Sequence, residues 1–174
     1  SGIISGLHQL EIVSLLDLFV GIPCLMIEHP QEASSRRQSY GLLGSFYTVP
    51  WGIEYRVPPS WLCDLTLGTG FLSLAKLITE TWLNNRTPLR NALGIEMRWI
   101  DHSRTKNEFN SGQQGKFTQW IQKWKHYLPS CVGWEDRKKE ILPVIEQIDS
   151  GKPWDTEKNI WDVWECRLPP GLQP

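Results

Sequence analysis

At 174 residues the chain is long enough for one domain with a real core and too short to expect two. Its 18 Lys and Arg against 19 Asp and Glu give a formal net charge of −1, so no global field argues for nucleic acid or an anionic membrane. No apolar run approaches membrane-spanning length, since Glu11, Ser14 and Asp17 interrupt residues 9–20, and no signal peptide is visible.

The four cysteines, Cys24, Cys63, Cys131 and Cys166, lie far apart with no C-x-x-C pair, which argues against a zinc site or a thioredoxin-like motif. Cys24 and Cys63 sit in apolar surroundings and read as buried thiols of a reducing, cytoplasmic compartment. Ten tryptophans are many for this length, and each brings an N–H that needs a partner, so contact surfaces are expected as well as a core. The chain opens Ser1-Gly2 without a Met, and a processed or truncated product is expected.

In chain order, residues 9–20 are apolar on nearly all sides and predict a buried helix, with Gly21 and Pro23 as stop signals. Cys24 to Ile27 reads as a short buried strand, closed by a turn at Glu28-His29-Pro30. Residues 31–39 are polar and predict a loop with a helical turn. Gly52-Ile53-Glu54-Tyr55-Arg56-Val57 alternates and stops at Pro58-Pro59. On a strand this puts Glu54 and Arg56 on one face and Ile53, Tyr55 and Val57 on the other. Two readings of that pair fit the spacing. One is a surface ion pair; the other is a nucleotide–metal site, in which the carboxylate is a hard ligand for Mg²⁺ and the guanidinium a planar fork for phosphate.

Beyond the hairpin region, Phe71, Leu74, Leu77, Ile78 and Trp82 recur at helical spacing and predict a core-facing helix that ends at Asn84-Asn85. Gly94 to Trp99 echoes residues 52–57 and reads as a second strand, with Glu96 and Arg98 on one face. Asp101 to Arg104 reads as a polar turn and residues 103–116 as a loop. Phe117 to Tyr127 predicts a helix with Trp120 and Trp124 one turn apart. Lys116, Lys123 and Lys125 flank it, and the reading is core packing with snorkelled lysines rather than a single-strand nucleic-acid surface. Residues 134–147 predict a helix kinked at Pro143, and Ser150 to Pro153 a linker. A Trp-rich segment with Trp161 and Trp164 on one helical face follows, then a structureless tail.

Five pieces in order carry a resemblance: Leu16-Asp17-Leu18-Phe19-Val20-Gly21-Ile22-Pro23, Arg36-Arg37 with Tyr40-Gly41 and Gly44, Phe46, Gly52 to Arg56, and Trp61. Over about residues 7–80 the chain resembles the phage-type amidoligases, COOH–NH2 ligases with a glutamine-synthetase-like fold. The resemblance implies ATP- and Mg²⁺-dependent joining of a carboxylate to an amine, small-molecule or peptide, through an acyl phosphate. It implies Glu54 as the metal ligand and Glu54, Arg56 and Arg36 as catalytic groups. Arg37, Tyr40, Gly41 and Gly44 would contact the nucleotide. His8 would be the remnant of an upstream Gly-x-His-x-His strand, with Leu10 where the second His falls. The match departs at Leu42 and Tyr47, where the family commonly has Lys and Arg. These departures and the tryptophans keep a competing reading open, a non-catalytic structural or binding module of a viral or multiprotein assembly.

The expected architecture is α+β: an antiparallel sheet with helices on one face and a helical C-terminal half, residues 1–150 forming one domain and 151–174 a Trp-rich segment that offers a protein partner its surface.

Overall fold

The computed structural model describes residues 6–59 and 64–155. Trp61, Cys63, Trp161, Trp164 and Cys166, with the expectations placed on them, lie outside the described residues.

The protein is mostly helical with one small antiparallel hairpin, broadly α+β. Helix α1 (Gly6–Leu16) runs into a π-helical turn (Asp17–Gly21) and directly on into α2 (Ile22–Ile27). Gly21 and Pro23 therefore do not stop the helix, and Cys24 to Ile27 is helix rather than strand. Within the π turn the Ile22 N–H reaches back five residues to the Asp17 carbonyl. The next such bond would run from residue 23 to Leu18, but Pro23 has no N–H. The Trp120 indole N–H takes that carbonyl instead, at 2.7 Å. Proline thus sits at the first turn of α2, where a missing donor costs least.

The continuous helix Gly6–Ile27 has 22 residues and is, by length and composition alone, apolar enough to cross a bilayer. This corrects the sequence reading, which broke the run at residue 20. Here it is the central core helix: 83% of the apolar window is buried inside the protein, with Leu18, Phe19, Ile22 and Leu25 fully covered.

Short α3 (Pro30–Arg36) replaces most of the expected loop. Strands β1 (Phe46–Val49) and β2 (Gly52–Tyr55) pair antiparallel with Phe46 opposite Tyr55 and Tyr47 opposite Glu54. A lone hairpin is marginal in water, so what docks it matters below.

Helix α4 (Leu65–Asp101) is capped by Asp64, whose carboxylate accepts the Leu67 N–H at 2.9 Å. Its backbone leaves helical angles at Asn85, because Pro88 cannot donate to the carbonyl four residues back. The expected end at Asn84-Asn85 is thus a kink. Residues 94–99 continue the helix, correcting the second-strand reading: Leu93 and Ile100 are buried and Met97 packs on the core, a helical period that outweighs the local echo of residues 52–57.

Helix α5 (Ser103–Asn110) occupies most of the expected loop, capped by His102 Nδ1, which accepts from the Arg104 N–H, and buried through Thr105 and Phe109. Helix α6 (Thr118–Tyr127) buries Trp120 and Trp124, so these rings are core. Helix α7 (Trp134–Asp149) runs through Pro143 without a break. It crosses α4 closely: a Cβ on Gly70 would stand 2.7 Å from the Glu140 carbonyl oxygen. One contiguous core links these helices, and buried Trp154 joins it through its backbone N–H, 2.8 Å from the Ile27 carbonyl.

Candidate functional site

The arginines at the end of α3 turn inward. Arg37 is fully buried, with Nη2 2.8 Å from Glu28 Oε1 and its guanidinium 4.4 Å over the Phe109 ring. Arg36 shares the same carboxylate oxygen at 3.3 Å and donates to the Val57 carbonyl at 3.1 Å. The backbone of Glu28 is fixed in turn by Gln114, whose Nε2 lies 2.8 Å from its carbonyl oxygen. Burial pulls the Arg37 guanidinium below its ordinary value, and Glu28 opposes that shift. One carboxylate thus faces two guanidiniums. Arg36 Nη1 and Arg37 Nε and Nη1 are buried with no hydrogen-bond partner.

The loop after α3 folds back over Arg36. Tyr40 N–H donates to the Arg36 carbonyl at 2.9 Å. Gly41 has φ +81°, and a Cβ there would stand 1.9 Å from Arg36 Nη1. Only glycine accepts both the left-handed backbone and the guanidinium so close against it. Gly44 belongs to a neighbouring cluster: its Cβ would stand 3.3 Å from Lys106 Nζ and 3.8 Å from Asp17 Oδ2.

On the hairpin, alternation works as the spacing predicts. Tyr55 points inward and its hydroxyl donates to Asp17 Oδ1 at 2.7 Å, beside Gly21, where a Cβ would come within 2.8 Å of the Tyr55 hydroxyl oxygen. Burial pushes the Asp17 carboxyl up to about 7, while the Tyr55 hydroxyl, the Gly44 backbone N–H and Lys106 pull it back. The same burial, with Asp17 beside it, raises the Tyr55 phenol. Glu54 and Arg56 share the outer face, with Arg56 Nε 3.5 Å from Glu54 Oε1. Arg56 lies 4.5 Å over Tyr40 and 4.6 Å over Tyr47, and its Nε donates to the Tyr40 hydroxyl at 3.2 Å. That hydrogen bond raises the guanidinium's pKa. Tyr47, standing where the resemblance implies an arginine, gives Arg56 a ring instead of a second positive charge.

Arg36, Arg37, Tyr40, Gly41 and Arg56 therefore come together around one loop, carrying three cations against the carboxylates of Glu28 and Glu54. Sequence reasoning missed Glu28, placed in a turn, and gave Asp17 no role. The signal for Asp17 was an acid within an apolar helix; nothing periodic links Glu28 to the arginines it holds. His8 is elsewhere, with Nε2 2.6 Å from Arg86 Nη1 and its ring edge-on to Trp82. Among the described residues no three His, Cys, Asp or Glu side chains group closely enough to hold a metal ion. Glu54 is half exposed and ion-paired, so the described residues do not by themselves fit a Mg²⁺ site.

The family model for the phage phiEco32-like COOH.NH2 ligase type 2 proteins matches residues 4–166. The chain belongs to that family. The match covers most of the chain and so extends well past the motifs of the first 80 residues, into the second half of α4 and on through α7, where the sequence showed no usable resemblance. No curated protein and no solved structure matches it.

Proposed function

We propose that this ligase-family chain joins a carboxylate to an amine with ATP as the activating group, and that the loop over Arg36 with the outer hairpin face is its anion-binding corner. The observation that carries the reading is the surplus of donors. Two guanidiniums, one buried and one partly exposed, share one carboxylate, and three of their nitrogens are buried without partners. Buried polar groups are nearly always satisfied, and phosphate or carboxylate oxygens suit a guanidinium fork. Arg36, partly exposed, is the accessible member, and Arg56, held between two rings, is the outer one. ATP, when bound, would supply phosphorylation of the carboxylate; this chain's part is to hold and neutralise the anion. No step is assigned to Mg²⁺, because the described residues offer Glu54 alone. A glutamine-synthetase-like fold belongs to the same proposal.

Calorimetry with Mg²⁺–ATP on the full chain tests it. Arg56→Gln should weaken binding about tenfold, the worth of one charge-assisted hydrogen bond. Arg104→Ala should not, because among the described residues that exposed side chain pairs with Glu108, away from the corner. No binding by the unmutated chain would remove the proposal. A second reading, a non-catalytic member serving an assembly, is favoured by the lack of a metal-holding cluster among the described residues.

A further inference from the structure

A cleft of about 590 Å³ opens between the first turns of α1 and the second half of α4. That is within the range of small-molecule pockets. None of Arg36, Arg37 and Arg56 lines it. Its floor is built on Arg86, which directly follows the non-helical Asn85. Arg86 Nε lies 2.9 Å from Glu11 Oε2, Nη2 contacts the same oxygen, and Nη1 lies 2.6 Å from His8 Nε2. Its guanidinium is also 5.3 Å over the Trp82 ring. Arg86 is therefore locked, and it occupies one oxygen of Glu11.

One carboxylate oxygen and one guanidinium of the cleft residues are left over. The Glu11 side chain is only 10% exposed, yet Oε1 is buried with no hydrogen-bond partner. A carboxylate oxygen in that setting calls for a donor. Arg90, one helical turn beyond Arg86 and on the same face, is exposed and makes no ion pair with a described residue. Leu7 and Met97 supply apolar wall.

We propose that this cleft binds a small α-amino acid as its zwitterion. The ammonium donates to Glu11 Oε1, the carboxylate meets the Arg90 fork, and an apolar side chain lies on Leu7 and Met97. A simple anion leaves Glu11 Oε1 unmet, and a simple amine leaves Arg90 idle; the zwitterion satisfies both. The inference does not rest on the ligase reading, since α1 and α4 build the cleft without the hairpin.

The test is calorimetry on the full chain with L-norleucine, hexanoate and pentylamine, the last two lacking the ammonium and the carboxylate respectively. Norleucine should bind, and each analogue about tenfold more weakly or worse. Arg90→Gln should weaken norleucine binding about tenfold, with an unchanged circular-dichroism melt, while Arg104→Gln binds as the unmutated chain does. Absence of norleucine binding, hexanoate binding as tightly as norleucine, or an Arg90→Gln variant that binds equally well would each overturn the proposal. Norleucine binding without ATP binding would remove the ligase reading and leave this one standing.

Discussion

Asp17 is the residue whose replacement reports most directly on how the hairpin is held. Its carboxyl is fully buried in the π turn, with Oδ1 accepting from Tyr55. Burial raises its pKa from 3.8 to about 7. The folded state therefore keeps a proton that the unfolded state releases above about pH 4. Stability is greatest below the unfolded value, falls as pH rises between the two, and levels off above the folded value. Each pKa unit is worth about 1.4 kcal/mol, so the fall totals roughly 4 kcal/mol. Asp17→Asn keeps the shape and an oxygen for Tyr55 but cannot ionise. Urea unfolding of both proteins at several pH values from 4 to 8 isolates the effect, because every other titration is common to the pair. The difference in stability, variant minus unmutated, should rise by roughly 4 kcal/mol across that window. Parallel pH profiles would refute the reasoning and would mean that Asp17 stays ionised in its burial site.

Two further outcomes follow from close packing. Gly70→Ala sets a methyl 2.7 Å from the Glu140 carbonyl oxygen, a backbone atom that cannot swing away, so it should cost about 1–3 kcal/mol in thermal or denaturant unfolding by forcing α4 from α7. Trp120→Phe keeps an aromatic ring but strands the Leu18 carbonyl that Pro23 cannot serve, and should cost about 1–3 kcal/mol by the same measurement; in a Pro23→Ala background, where a backbone donor returns, the cost should shrink.

The sequence by itself determined the local features whose cause lies within a few residues. Alternation at residues 52–57 put Glu54 and Arg56 on one face because side chains on a strand have a period of two, and the structure keeps that arrangement. The apolar run at 9–20 required a buried helix, and the spacing of Trp120 and Trp124 a core face. The motifs at Arg36-Arg37, Tyr40-Gly41 and Gly52 to Arg56 were enough to show the family resemblance, and the family match covers residues 4–166.

Tertiary structure alone decided what those groups do to one another. Whether the chain stops at Gly21-Pro23 or passes through a π turn depends on an indole about a hundred residues away that accepts the burden of an unserved carbonyl. Whether Gly94 to Trp99 is strand or helix depends on the core that Leu93, Met97 and Ile100 face together, not on the six residues themselves. The arginines of α3 could have faced solvent. Arg37 is buried and Arg36 turned inward because Glu28, Gln114, Phe109 and the positive-φ backbone of Gly41 close around them, and no spacing rule connects those positions. Periodicity fixes which face a side chain occupies; only long-range packing fixes what that face meets, and the charge surplus of the arginine corner and the leftover groups of the α1–α4 cleft both arise from such meetings.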